Sequence, residues 1–337
     1  MTFCADSQQL RKAHEAGGLR RIWPVNLLLA SVLLVLALIV WNAGLVADSS
    51  SLQRLAGGCV KRPRGDVTFT TPAALIKATE VADGRSLAPL VSAWRDCSRG
   101  VYLDVGTNVG VQIRNLYTPE KFPGAKVLPV FDEYFGKDRS RVCAVGFEPN
   151  VAHTPYLETL NENLRQRNLP AHIYTEVAVS SHRGTSTFYK DPLAPAAVHE
   201  WGASLAAWNS KNNDTAKITV QLVDLHNFVL NVVVPIVERE QQRTGRKPPV
   251  IMKMDIEGAE YVVFPALILR AALCHVDLIF AEWHGDNMRL KMPGRTNLTK
   301  WEMIKAFEDL RVVDPTCRVK FSDLDDESYA DGTAVPL

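Results

Sequence analysis

The sequence predicts an α/β domain, a mostly parallel sheet flanked by helices, carried behind one apolar N-terminal helix. Three observations lead there. After Gly100, short apolar runs alternate with helical stretches. A glycine-bearing turn, Asp104-Val105-Gly106-Thr107-Asn108-Val109-Gly110, joins the first of those runs to a helix. Near the N-terminus, residues 27–40 are almost wholly apolar. Composition sets the bounds: 337 residues, 47% apolar, with 38 basic against 37 acidic side chains, exclude a disordered polymer, a collagenous repeat and a disulfide miniprotein. A formal charge of +1 argues against a dedicated nucleic-acid binder, which carries a basic excess or stripe.

The N-terminal run, extended by Trp41 and residues 43–47 and preceded by residues 22–25, reaches the roughly 20 residues that a bilayer-spanning helix needs. It predicts a cytosolic tail over 1–21, a transmembrane signal anchor over 22–47, a Ser-, Gly- and Arg-rich stem over 48–71 and a folded domain over 72–337. A cleaved signal peptide is the alternative, but the segment before the apolar run is long for one, and Leu45-Val46-Ala47 is a poor small-x-small cleavage site. Arg20 and Arg21 lie close to the helix on its N-terminal side. Asn213-Asp214-Thr215 and Asn297-Leu298-Thr299 are glycosylation acceptor patterns. Together they predict a single-pass type II protein of the endoplasmic reticulum or Golgi, with its C-terminal part in the lumen. The six cysteines include no C-x-x-C pair. With Cys4 on the cytosolic side, the other five allow at most two bridges, and Cys143 and Cys274, inside strand-like runs, read as buried small apolar residues.

Within the domain, the apolar positions Ala74, Leu75, Ala78, Val81, Leu87, Leu90, Val91 and Trp94 suggest one or two helices. Strands are predicted over 101–105, 142–147, 173–179, 250–254 and 276–281, and helices over 109–116, 151–167, 222–243, 257–270 and 299–310. Two further strand-like runs, 186–189 and 218–222, suggest an added antiparallel element.

The chemistry concentrates where strands end. Gly106 and Gly110 lie on a turn that lets a ligand approach the backbone, and Asp104 faces the same crevice. The spacing is not the dinucleotide fingerprint, since position 108 is Asn. Glu148, closing the second strand in Phe147-Glu148-Pro149-Asn150, is placed to accept two ribose hydroxyls. A third such end reads Lys253-Met254-Asp255-Ile256-Glu257-Gly258-Ala259-Glu260.

These three stretches closely resemble the FkbM family of S-adenosylmethionine-dependent methyltransferases. Glu176-Val177-Ala178-Val179-Ser180, Gly202-Ala203-Ser204-Leu205 and Glu282-Trp283-His284 add to the likeness, which runs over residues 100–284. Thr107, where the family commonly has Ala, and a long segment over 118–140 depart from it. That segment carries Phe122, Phe131, Tyr134 and Phe135, and reads either as an acceptor-binding lid or as a surface excursion packing its own aromatics.

The resemblance implies a Rossmann-like class I methyltransferase fold with a seven-stranded, mostly parallel sheet. It implies that Gly106 and Gly110 admit S-adenosylmethionine, that Asp104 and Asn108 border its methionine portion, that Glu148 holds the ribose, and that Asn150 and Ala178 lie near ribose and adenine. None of these residues demands a metal. An alcohol acceptor must lose a proton, and Asp255 and His284 are the preferred acceptors of it among Asp255, Glu257, Glu282 and His284, with Lys253 pairing Asp255 or orienting the acceptor oxygen. The structural alternative is a charge network capping the following helix. The expected reaction is O-methylation of a hydroxyl, a carbohydrate being the natural acceptor in the lumen; Trp201 and Trp208 could stack on a sugar. Two rival readings are a luminal glycosyltransferase using Asp323 and Asp325 on a metal, although that run reads as solvated charge, and an inactive methyltransferase-like binding module.

Overall fold

The computed structural model describes residues 80–190, 202–207 and 217–326. All the described residues lie in one unit of the chain, residues 64–337. The predicted tail, anchor and stem, Trp201, Trp208 and the Asn213 sequon lie outside the described residues. Among these, no helix is long and apolar enough to cross a membrane.

A short hairpin, β1 (Glu80–Ala82) and β2 (Arg85–Ser86), leads into α1 (Ala88–Ala93). Val81, expected on a helix, therefore lies on a strand, while Leu87, Leu90 and Trp94 are buried as the helical periodicity requires. The main sheet follows: β3 (Gly100–Val105), β4 (Val142–Glu148), β5 (Ala171–Thr175), β9 (Val250–Met254), β10 (Leu278–Ala281) and β11 (Lys320–Ser322). Their order is β11-β10-β9-β3-β4-β5. Every pairing in it is parallel. The described sheet thus has six strands instead of the seven that the resemblance implied.

Burial on both faces explains the near-continuous apolar runs. Val101, Leu103 and Val105 of β3, with Val250, Met252 and Met254 of β9, face one core, packed by α1, α7 (Glu260–Leu269) and α9 (Lys300–Val313). Tyr102 and Ile251 face the other, packed by α2 (Val111–Tyr117), α3 (Leu128–Phe135) and α4 (Thr154–Gln166). Asp104 and Lys253 interrupt this pattern at the carboxyl ends of β3 and β9, directly opposite one another in register.

The predicted strand over 173–179 is divided between two sheets. Glu176 takes a left-handed conformation (φ 59°), ending β5 and starting β6 (Val177–Ser180). β6 pairs with β8 (Lys217–Asp224), which also pairs antiparallel with β7 (Gly184–Tyr189), the added element that the sequence suggested. The long helix expected over 222–243 begins after Asp224, whose carboxylate accepts the Asn227 N–H at 3.2 Å. It widens into a π turn over Val229–Val233 just before Pro235, which has no N–H to offer the ladder.

The 118–140 segment is structural. Phe122, Phe131 and Phe135 are buried in one core cluster with Tyr102, and the Phe131 ring meets Tyr102 edge-on at 5.0 Å. None of its residues lines either cleft described below.

Cys143 is buried and Cys274 partly buried, yet both are bridged, correcting their reading as free core residues: Cys97–Cys143 closes a 46-residue separation and Cys274–Cys317 one of 43. Burial and pairing are compatible, and sequence spacing could not decide between them. On the chain-entropy account, a loop of this length is worth about 4 kcal/mol. Reducing both bridges is expected to lower the melting temperature by roughly 10 °C or more. Scanning fluorimetry with and without dithiothreitol measures it; an unchanged transition would remove the bridges from the stability account.

Candidate functional site

The strand order reverses between β3 and β9, because the chain runs outward from β3 through β4 and β5 on one side, and from β9 through β10 and β11 on the other. In parallel sheets a crevice opens at such a point, beyond the carboxyl ends of the strands. Two clefts lie here, one larger than the other, and Asn108 and Asp255 line both.

The larger cleft is bordered by Gly106, Glu148, His153, Ala178, Leu205 and Glu257, among others. Glu148 is 6% exposed and fixed by its own strand ends: Oε2 accepts the Asn108 N–H at 2.7 Å, and Oε1 accepts the Asn150 N–H at 2.9 Å. Each oxygen retains a lone pair for a ligand hydroxyl. Asn108 can present that N–H because it adopts φ 52°, its Oδ1 accepting from the Val109 N–H at 2.8 Å. His153, not anticipated from the sequence, has both ring nitrogens buried without a hydrogen bond, and its Nδ1 lies 3.3 Å from Glu148 Oε1.

The predicted glycines divide in role. A Cβ on Gly106 would stand 1.7 Å from the Asp255 carbonyl oxygen, so only glycine lets β3 and β9 end against each other. A Cβ on Gly110 would meet Leu160 Cδ2 at 2.4 Å, so its bareness serves the packing of α4. Asn150 is also structural, its Oδ1 accepting the Ala152 N–H at 3.0 Å within the turn after β4, and it does not line the cleft. Thr107 donates its hydroxyl to the Asp104 carbonyl at 2.9 Å.

Asp104 is fully buried, and both its carboxylate oxygens lack a hydrogen-bond partner. Burial pushes it up to about 7, Lys253 opposing this while Asp255 and Glu148 add to it. Lys253 spends its ammonium on the Gly106 carbonyl (2.6 Å) and on Asp255 Oδ2 (3.0 Å). Against the cost of burial, that ammonium and His284 hold Asp255 below the ordinary carboxylate range.

The smaller cleft is lined by Lys253, Asp255, Glu282, Leu324, Asp325 and Asp326, with Thr107, Val111 and Phe280. The C-terminal acidic run is therefore not simply solvated. Asp326 is buried, accepting the Val127 N–H at 2.8 Å, while Asp323 is spent on Lys300 at 2.9 Å. The separate environments of Asp323 and Asp325 remove the basis for reading them as one metal-holding pair.

His284 is placed between carboxylates: Nε2 is 3.1 Å from Glu257 and 3.7 Å from Glu282, and Nδ1 is 3.2 Å from Glu260. Burial opposes its charge, but the bonds to Glu257 and Glu260 push the imidazolium up to about 11. With both nitrogens protonated, it has no lone pair for a substrate proton, which corrects its reading as a proton acceptor. Glu282 is raised to about 7, by burial first and by Asp255 next. Glu260, in sequence a helix-start charge, is the partner of His284 in the fold, and 24 residues of separation leave no signal for that pairing.

Ser204 explains the Gly-Ala-Ser-Leu stretch. Its hydroxyl donates to the Glu257 carbonyl at 2.6 Å and accepts the Ala206 N–H at 3.0 Å, bracing the turn after β9, in which Glu257 holds φ 54°. Asp255, Glu257 and His284 bring possible metal-ligand atoms together, a convergence absent from the linear reading.

Among known families, the methyltransferase FkbM domain matches residues 104–311. No curated protein and no solved structure matches the chain.

Proposed function

The chain belongs to the FkbM methyltransferase family, and from that premise we propose that it transfers a methyl group from S-adenosylmethionine to a hydroxyl oxygen, a carbohydrate being the favoured acceptor. The observation that carries this reading is the β3–β9 switch point, where Gly106 abuts Asp255 and Glu148 is held open by two backbone donors.

The residues fit the cofactor. Glu148 has lone pairs left for the ribose hydroxyls and Ala178 leaves room for a flat base; the orphaned carboxylate of Asp104 lies behind the strand ends, fully buried and lining neither cleft, and acts on a cationic ligand through its charge. When bound, S-adenosylmethionine supplies an electrophilic methyl on a sulfonium. The protein's part is to align the acceptor and exclude water. The smaller cleft provides the polar wall for that: Lys253 orients, Glu282 is positioned to accept the hydroxyl proton, and Asp325 offers a hydrogen-bond acceptor to neighbouring hydroxyls. A polyol matches a cleft lined by several carboxylates, since each can accept from more than one hydroxyl.

Residues 22–47 anchor the protein as a type II membrane protein, with the domain in the lumen of the endoplasmic reticulum or Golgi. The two disulfides support this, because such bridges persist in oxidising compartments.

Glu148→Gln tests the cofactor site. It keeps the shape but gives up a carboxylate that accepts from two backbone donors, and calorimetry is expected to show at least a tenfold loss of S-adenosylmethionine affinity. Unaltered affinity would displace Glu148 from the ribose. Incubation of the full-length protein with methyl-labelled cofactor and separate pools of glycans, lipids and proteins tests the acceptor; label in the lipid or protein pool alone would overturn the carbohydrate assignment.

A further inference from the structure

We propose that Asp255, Glu257 and His284, at the edge of the same clefts, bind a single divalent ion of the manganese-to-zinc series. The three side chains offer donor atoms that all lie within 4.8 Å of one another. Glu257 Oε2 and His284 Nε2 are 3.1 Å apart. Metal–ligand bonds of about 2.1 Å place adjacent donors roughly 3 to 3.5 Å apart, so this pair already has the spacing of two ligands on one ion.

The imidazole is oriented from behind. Its Nδ1 lies 3.2 Å from Oε1 of Glu260, a fully buried carboxylate whose Oε1 also accepts the Ile256 N–H at 3.0 Å. A carboxylate behind the ring fixes the tautomer and presents the other nitrogen to a metal. The Tyr261 hydroxyl donates to the His284 carbonyl at 3.0 Å, steadying the backbone beneath it.

Asp255 supplies an independent observation. Lys253 occupies Oδ2 at 3.0 Å, whereas Oδ1 is sealed from solvent with no hydrogen-bond partner. A buried orphan oxygen destabilises the fold, and coordination would satisfy it. Glu282 Oε1, 3.7 Å from His284 Nε2, is near enough to join the shell or hold a coordinated water. One imidazole nitrogen among carboxylate oxygens favours a first-row ion over calcium, which takes oxygen ligands alone. Uptake displaces the Nε2 proton to solvent.

The test uses the full-length, disulfide-bonded chain stripped with a chelator and titrated with Mn²⁺ alone, the free ion being followed by electron paramagnetic resonance. One Mn²⁺ per chain should leave the free signal, the melting temperature should rise, and Zn²⁺ should compete. Glu257→Gln and His284→Gln should each weaken uptake at least tenfold with the circular dichroism spectrum unchanged, and Asp323→Asn, outside the cluster, should leave it unaltered. If His284→Gln fails to fold, Glu257→Gln decides, since its side chain is 20% exposed and its loss leaves no cavity. Absence of uptake of either ion by the folded parent, or full uptake by Glu257→Gln, would overturn the site. The titration needs no S-adenosylmethionine, so its failure would leave the methyltransferase reading standing.

Discussion

Asp104→Asn is expected to melt at a higher temperature than the parent chain at pH 8 and to have lost its affinity for S-adenosylmethionine. The carboxylate is fully buried and neither of its oxygens is hydrogen-bonded. Its folded-state pKa, about 7, lies above the value of 3.8 for a free side chain. The folded chain therefore binds this proton more tightly than the unfolded one. Stability falls as pH rises from about 4 through about 7, and above that the penalty is constant. A shift of about 3 pH units corresponds to about 4 kcal/mol at most. An unpaired amide costs about as much to bury as the neutral carboxyl it replaces, so the gain at alkaline pH is the charge penalty itself, about 4 kcal/mol at most. The two chains should converge below pH 4 and separate as pH rises. Melting curves at pH 4.5, 6 and 8 measure that gap, and a gap independent of pH would mean that Asp104 carries no uncompensated charge. On the proposed reading the carboxylate serves a cationic ligand, and calorimetry on the same variant should then show at least a hundredfold weaker cofactor binding. A variant that gains stability but still binds would separate the orphan charge from the ligand.

The residues that could be read from the sequence share a physical trait: they interrupt apolar runs where a strand ends. Asp104, Glu148, Lys253 and Asp255 stand at the carboxyl ends of β3, β4 and β9, and the fold gathers those ends at the β3–β9 switch point. What could not be read arises between distant segments. Glu260 meets His284 across 24 residues and converts an apparent base into a clamped imidazolium. Asp326 reaches Val127 across 199 residues and brings Leu324 and Asp325 to the cleft. The break at Glu176 has no side-chain signature, since it is a backbone angle that lets one apolar run feed two sheets. The burial of Cys143 is legible in the apolar run around it, whereas its partner is supplied only by the fold.

Gly106→Ala should damage both stability and cofactor binding, and a second glycine separates the causes. Gly106 holds φ 86°, a conformation that costs an L-residue roughly 1 kcal/mol. Gly245, at φ 73° beyond the C-terminus of α6 (Val234–Thr244), has open space where a Cβ would stand, with nothing within 4 Å. Gly245→Ala therefore measures the backbone strain alone, about 1 kcal/mol. At Gly106 the added carbon would lie 1.7 Å from the Asp255 carbonyl oxygen, a backbone atom that no rotamer change can move. The ends of β3 and β9 must part, in a region where the Asp255 N–H donates to the Val105 carbonyl at 2.9 Å and Lys253 donates to the Gly106 carbonyl at 2.6 Å. Overpacking of a tight core contact adds roughly 1 to 3 kcal/mol to the strain. The expected loss is about 2 to 4 kcal/mol, or roughly 5–15 °C in melting temperature. Because those strand ends also carry Asp104 and Asp255, cofactor affinity should fall at least tenfold in Gly106→Ala and stay within twofold of the parent in Gly245→Ala. Equal destabilisation of the two variants would show that the β3–β9 contact yields easily. The switch point could not then be the rigid element on which the positioning of the acceptor depends.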